Sequence, residues 1–272
     1  MAPTIFQLLV LILAVSFFGA GLGLSLARLH GESMPLRLAA KACDWSGVGV
    51  ALAVLIWHAA SRRSWMPLED NFEAFIWLAL LLALFVMYVQ RVHPLGGLDW
   101  FTIPIVIALL VFGALLGSQK PETYALNDKW RLIHRITAYS GAAAFAVAAA
   151  GGAMYLVANR RLRNRAAVPG PNLGSLERLE RLAMAAVRIG FALLTIGLLT
   201  GLLLRLTEGH TARLGKYLLG SPKVPLAFCA WVVYAVVLHA PINPSFRGRK
   251  AALLSIFGFV LMIATLVAVQ FM

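Results

Sequence analysis

Six histidines, at positions 30, 58, 93, 134, 210 and 239, are the side chains of this chain best suited to chemistry. Imidazole moves protons near neutral pH and is a common ligand of haem iron and other metals. Around them little else suggests a reaction centre. The sequence has no phosphate-cradling glycine loop, no nucleophile elbow and no His-Glu-x-x-His zinc pattern. Cys43 and Cys229 stand far apart, outside any Cys-x-x-Cys pair, and read as small apolar residues of helices or helix ends. The 11 carboxylates fall almost entirely between apolar runs or at their ends; only Glu73 reaches into one. A proton-driven pump needs carboxylates inside the membrane, so such a machine is not expected. No catalytic set is expected either, which leaves the histidines as candidate cofactor ligands.

The elements that position them are set by composition. A soluble domain is about half apolar and about a quarter charged, whereas this chain of 272 residues is 61% hydrophobic and 13% charged. The excess apolar surface needs lipid to cover it. The net charge of +13 comes from basic residues lying mostly between the apolar runs, which marks membrane flanks and no nucleic-acid partner. Runs long enough to cross the roughly 30 Å hydrocarbon core lie near 5–27, 45–60, 71–90, 100–117, 133–157, 183–206, 224–241 and 251–271. Backbone polar groups cannot go unpaired in lipid, and no alternating strand pattern occurs. The expected fold is therefore all-α: a polytopic integral membrane protein of about eight transmembrane helices, with residues 1–272 as a single membrane domain. The second, fourth and seventh runs are short and are expected to tilt or extend into their flanks. The first run has no basic residue before it and outlasts a signal-peptide core, so it reads as a permanent span.

Orientation follows from Lys and Arg. The loop Asn159–Arg181 holds six arginines, the densest basic block, and is expected to be cytoplasmic, with both termini outside. Arg188 alone sits inside a span. Within that loop, Pro169-Gly170-Pro171 breaks any helix, and Asn172 or Ser175 can cap the next. Leu176, Leu179 and Leu182 beside Arg178 and Arg181 predict a short amphipathic helix on anionic headgroups, running into span six. Gly19-x-x-x-Gly23, Gly197-x-x-x-Gly201 and the small face Gly141, Ala144, Ala148 and Gly152 predict close helix packing within the chain.

This topology sorts the histidines. His58, His134 and His210 fall on the outer side, and His30, His93 and His239 on the inner side. His134 and His239 therefore cannot share one iron.

Three stretches resemble the cytochrome c assembly protein family, the CcsA-type haem handlers with their shorter HemX-like and YpjD-like relatives. The first is His134-Arg-Ile-Thr-Ala-Tyr139 with the Ala-rich span and Tyr155-Leu-Val-Ala-Asn-Arg-Arg161. The second is Leu176-Glu-Arg-Leu179 leading into Gly190-Phe-Ala-Leu-Leu-Thr-Ile-Gly197 and Gly201. The third is Pro222-Lys223 leading to Trp231-Val-Val-Tyr-Ala-Val-Val-Leu-His239 and Arg247-Gly-Arg-Lys-Ala251. Upstream, Met66-Pro-Leu-Glu-Asp-Asn-Phe-Glu73 is similar to a motif that opens a family helix. The resemblance covers residues 65–272.

The resemblance implies haem handling in a bacterial cytoplasmic membrane, with haem b as the cofactor and other maturation proteins as partners. By position, His134 matches the family's first external histidine and His239 its second intramembrane one, so both are expected metal ligands. His58 and His210 complete the expected cofactor-binding set. The departures are equally specific. The loop from Thr207 to Ser221 contains no tryptophan where the family has its Trp-rich haem-presenting motif. Trp65 stands where the first intramembrane histidine is expected, and the second external histidine would follow Met272. The expectation is a haem-associated maturation or regulatory factor of the HemX-like branch, not a complete haem ligase and not an enzyme. The competing reading is a cofactor-free scaffold of a larger membrane complex. A small transporter or channel finds few intramembrane polar residues to support it.

Overall fold

The computed structural model describes residues 4–28, 34–63, 68, 70–92, 96–116, 129–163, 173–207, 222–239, 246 and 248–268. They form eight α-helices: α1 (Ile5–Ala27), α2 (Met34–Arg62), α3 (Asn71–Val92), α4 (Leu98–Leu116), α5 (Lys129–Arg163), α6 (Leu176–Thr207), α7 (Lys223–Leu238) and α8 (Arg249–Ala268). Seven are long and apolar enough to cross a bilayer. The exception, α7, has 16 residues, about 24 Å of helix against a core of roughly 30 Å. The chain is thus an all-helical, multi-pass membrane protein, as its apolar runs predict.

One boundary differs from the sequence expectation, and one continuation follows it. Helix α2 begins at Met34, not near 45. Arg37, Lys41 and Asp44 dilute the apolar pattern there, while Pro35 sits in the first turn, where its missing N–H costs nothing. The amphipathic helix beginning at Leu176 is continuous with span six as a single element of 32 residues. Cys43 lies in α2 and Cys229 in α7.

The chain divides into two compact units, residues 1–122 with 158–175, and residues 123–157 with 176–272. In the first, α1 and α2 run antiparallel. Gln7 meets His58, Phe18 lies where a Cβ on Gly47 would come within 2.9 Å, and Asp44 occupies the space beside Gly21. Helix α3 is buried along most of its length, and Gly113 of α4 lets Phe75 approach to 3.2 Å of its missing Cβ. The expected packing motif Gly19-x-x-x-Gly23 meets no neighbour among the described residues: none has an atom within 4 Å of where either glycine's Cβ would be. Gly21 makes the helix contact instead. Spacing alone does not fix the face of a helix that turns inward, and here the inward face holds Gln7, Leu11, Ala14, Phe18, Gly21 and Ser25.

In the second unit α5 and α6 form an antiparallel ladder. Gly201 faces His134, Gly197 faces Thr137 and Ala138, Gly141 faces Leu193 and Leu194, Gly190 faces Phe145, and Gly151 faces Ala183. Helix α8 runs antiparallel to α5, with Ala252 backbone 2.9 Å from the Cβ position of Gly152. Gly248, at φ +66°, opens α8 against the Tyr155 hydroxyl, where a side chain meets both strain and a 2.6 Å clash. Helix α7 docks through Tyr234, which stacks on Phe145 with ring centroids 3.5 Å apart. The Tyr234 hydroxyl donates to the Ser255 carbonyl at 3.2 Å. The expected small face of α5 is thus shared between two neighbours, Gly141 serving α6 and Gly152 serving α8.

Phe145 is clamped between Tyr234 and Gly190, so it cannot yield to a new methyl group 2.7 Å away. Gly190→Ala is expected to cost about 1–3 kcal/mol, and Gly19→Ala less than about 0.5 kcal/mol. Thermal unfolding of the two variants in detergent checks this; equal melting points would refute the clamp.

Candidate functional site

His134 sits near the start of α5, half-buried against α6. Its Nδ1 lies 2.7 Å from the Gly197 carbonyl. A carbonyl only accepts, so Nδ1 carries the proton and Nε2 keeps its lone pair. The ring packs against Gly201, whose Cβ, if present, would fall 2.9 Å from Cε1. Glycine at 197 and 201 therefore makes room for this imidazole. Nε2 has no hydrogen-bond partner among the described residues.

His239 closes α7 and repeats the arrangement. Its Nδ1 donates to the Ala235 carbonyl at 2.7 Å, again leaving Nε2 as the free lone pair among the described residues. The ring is exposed and belongs to an apolar groove of about 400 Å³ lined by Trp231, Val232, Ala235, Val236 and Phe246. Trp231 anchors the groove: its Nε1 donates to Thr195 of α6 at 2.9 Å, and its ring stacks with Phe191 and Phe228. An imidazole with one nitrogen held by a carbonyl and the other open is how ligating histidines are oriented.

These two histidines lie at opposite ends of one unit. Phe145 and Tyr234 are stacked and so level. Phe246, shared with the His239 groove, adjoins the start of α8, which meets Tyr155 near the end of α5. Helix α7 is therefore parallel to α5. Eleven residues of α5 separate His134 from Phe145, and five of α7 separate Tyr234 from His239. At 1.5 Å per residue the two imidazoles stand about 24 Å apart along the bundle. They cannot share an iron, as the sequence topology anticipates.

His58 is different. Thr4 N–H donates to Gln7 Oε1 at 2.9 Å, closing a capping box at the start of α1. That fixes the amide, so Gln7 Nε2 donates to His58 Nδ1 at 2.9 Å. His58 Nε2 must then carry the proton, and donates to Asp70 Oδ2 at 2.7 Å. Arg62 donates to Asp70 at 3.0 Å and to Glu73 at 2.9 Å, while Asp70 Oδ1 caps α3 by accepting from Glu73 N–H at 2.7 Å. Both ring nitrogens of His58 are occupied by protein, so the geometry withholds it from coordination. His210, the fourth expected ligand, lies outside the described residues, as do His30 and His93.

Sequence reasoning missed this network. Asp70 followed by Glu73 at a helix start was the available signal, but nothing in the spacing of His58 and Asp70 pairs them. It also missed a second polar contact. Asp44, placed between spans by hydropathy, lies inside α2, with Oδ1 buried and lacking a hydrogen-bond partner among the described residues. One turn along α1, Ser25 donates to Asp99, and Trp100 Nε1 donates to Ser25 at 3.2 Å.

Fold and site together define a class: a multi-pass helical membrane protein that presents an oriented, open imidazole at each end of one bundle. Residues 65–272 match the model of the family described as cytochrome C assembly protein. The chain belongs to that family. Curated relatives include the cytochrome c biogenesis protein CcsA of Synechococcus sp. (strain CC9902), 25% identical over 253 residues covering 81% of this chain and 82% of the relative. The CcsA of Guillardia theta is 23% identical over 247 residues, covering 82% and 79%. That of Chlorella vulgaris is 25% identical over 251 residues, covering 79% and 78%. No solved structure matches significantly.

The Arg62 guanidinium is what lets Asp70 and Glu73 be buried together, with side chains 0% and 4% exposed. Arg62→Leu removes the cation shared by these two buried carboxylates and is expected to cost about 3–5 kcal/mol. Thermal unfolding in detergent measures it; a loss below about 1 kcal/mol, the size of an exposed pair, contradicts the network's role.

Proposed function

We propose that this protein handles haem in cytochrome c assembly, holding it at His239 and at His134. The observation that carries the reading is the His239 groove. Among the described residues its lining carries one imidazole, whose Nδ1–H is tied to Ala235, so that Nε2 faces away from the backbone beside Trp231, Ala235 and Phe246. An apolar wall with a single basic nitrogen suits axial ligation of a flat, hydrophobic macrocycle. Bound haem would supply an iron centre whose redox state and ligation can be controlled. The chain's own residues supply orientation, exclusion of water and the imidazole lone pair.

His134 offers the second ligand at the other end, held by Gly197 and backed by Gly201. We place the arginine-rich ends of α5 and α6 in the cytoplasm of a bacterial cell, so that His134 lies toward the outer face and His239 toward the inner. The loop 207–221, without tryptophan, favours storage, relay or control of haem over its attachment to an apocytochrome, a role nearer the HemX-like branch. The partners are then the lipid bilayer and other maturation proteins that deliver or accept haem.

The test is a haemin titration of the purified protein, followed by its Soret band. Wild type is expected to bind two equivalents, and His239→Ala and His134→Ala one each. His58→Gln is expected to keep both while lowering thermal stability. A protein that neither purifies with haem nor takes up haemin sinks this reading and favours a cofactor-free scaffold.

A further inference from the structure

Arg188 is the one basic residue expected inside a span, and in the structure it is exposed on α6 with no hydrogen bond or ion pair among the described residues. Its position on the helix is specific. It lies three residues before Phe191 and seven before Thr195, so all three share one side of α6. That side touches α7: Phe191 stacks on Trp231 at 5.3 Å, and Thr195 accepts the Trp231 indole N–H. Trp231 is at the same time a wall of the His239 groove. Helices α6 and α7 are antiparallel, because each is fixed in direction against α5. Moving from Trp231 toward the end of α7 is therefore moving from Thr195 back toward Arg188. Arg188 comes level with Ala235 and Val236, about one turn from the level of His239. Its side chain leans toward the start of α6, which is the same direction as His239.

We propose that Arg188 is the anion-binding side chain of the His239 groove, pairing with a carboxylate on the rim of the flat apolar ligand seated there. The inference rests on the haem reading of that groove. An unpaired guanidinium facing lipid is costly, and a guanidinium is matched to carboxylate by its fork of donors. None of the described residues lining the groove is a cation; Lys250 stands beside it, its Nζ 5.5 Å from the Phe246 ring centroid, and faces a different wall from the α6 side on which Arg188 lies. The ligand class is thus narrowed to a planar macrocycle carrying ionised acid groups, with iron held by His239 Nε2 and one acid group by Arg188.

The experiment uses the full chain in nanodiscs of neutral phosphatidylcholine, in the His134→Ala background so that only the His239 site is read. Haemin and its dimethyl ester, in which the acid groups are capped, are titrated into the otherwise wild-type protein, Arg188→Gln, Arg188→Lys and Arg181→Gln. Arg188→Gln is expected to weaken haemin binding about tenfold, the scale of one charge-assisted hydrogen bond, and to leave the ester unchanged. Arg188→Lys is expected to retain part of the affinity, and Arg181→Gln all of it, since Arg181 pairs with Glu177. Equal affinity of Arg188→Gln and the parent for haemin overturns the proposal, as does an equal loss for haemin and ester. So does an effect that appears only in nanodiscs containing phosphatidylglycerol, which makes Arg188 a lipid-headgroup site. The haem reading fails separately, and takes this inference with it, if His239→Ala changes neither titration.

Discussion

The stack of Phe145 on Tyr234, wedged against Gly190 and Gly258, is the contact on which the second unit depends. It joins α5, α6, α7 and α8 at one level, because a Cβ on Gly190 would meet Phe145 at 2.7 Å and one on Gly258 would meet Tyr234 at 2.8 Å. Two flat rings at 3.5 Å leave no freedom for either helix to slide. With that level fixed, the distance of each histidine from it is a matter of counting residues along a helix. The separation of His134 from His239 is therefore built into the packing of a layer that contains neither.

Three imidazoles show how hydrogen bonding decides what a histidine can do. His58 has Gln7 on one nitrogen and Asp70 on the other, and is held in a closed polar network. His134 and His239 each give one N–H to a main-chain carbonyl, the first across to α6 and the second back within α7. A carbonyl orients the ring without competing for the second nitrogen, whereas a carboxylate and an amide together consume both. In an apolar surround such differences matter more than in water, since each unmade bond carries its full desolvation cost.

Much of the fold was legible because a helix that must cross hydrocarbon writes a long apolar run. The eight runs, the opposite ends of His134 and His239, and the continuation of the Leu176 helix into span six all follow from length and charge. Where a helix carried charge and still stayed buried, the pattern hid it: Met34–Asp44 reads as a loop, yet Asp44 is tucked against Gly21. The Gly19 and Gly23 spacing named the right helix and the wrong face. The partnership of His58 with Asp70 joins α2 to the cap of α3 across 12 residues, and no periodicity records it. The ligand geometry of His239 was legible only as a residue type at a family position; its tautomer needed the Ala235 carbonyl.

Helix length adds a last constraint on depth. Helix α5 has 35 residues and α6 has 32, about 52 and 48 Å against a hydrocarbon core of roughly 30 Å. If His134 marks one rim, 30 Å along α5 ends about 20 residues later, near Tyr155. That is where Gly248 meets α5 and where α8 starts with Arg249 and Lys250. The surplus of α5 and α6 then lies beyond this rim, where Arg160, Arg161, Arg163, Arg178 and Arg181 are found. His239, about 24 Å from His134, falls roughly 6 Å inside the same rim, and Arg188 slightly deeper with its side chain directed outward. A ligand with an apolar body and a charged edge is stable at that boundary and nowhere deeper, because its acid groups need either water or a guanidinium. The proposed haem reading of the groove thus rests on its depth, the open His239 imidazole and the exposed Arg188.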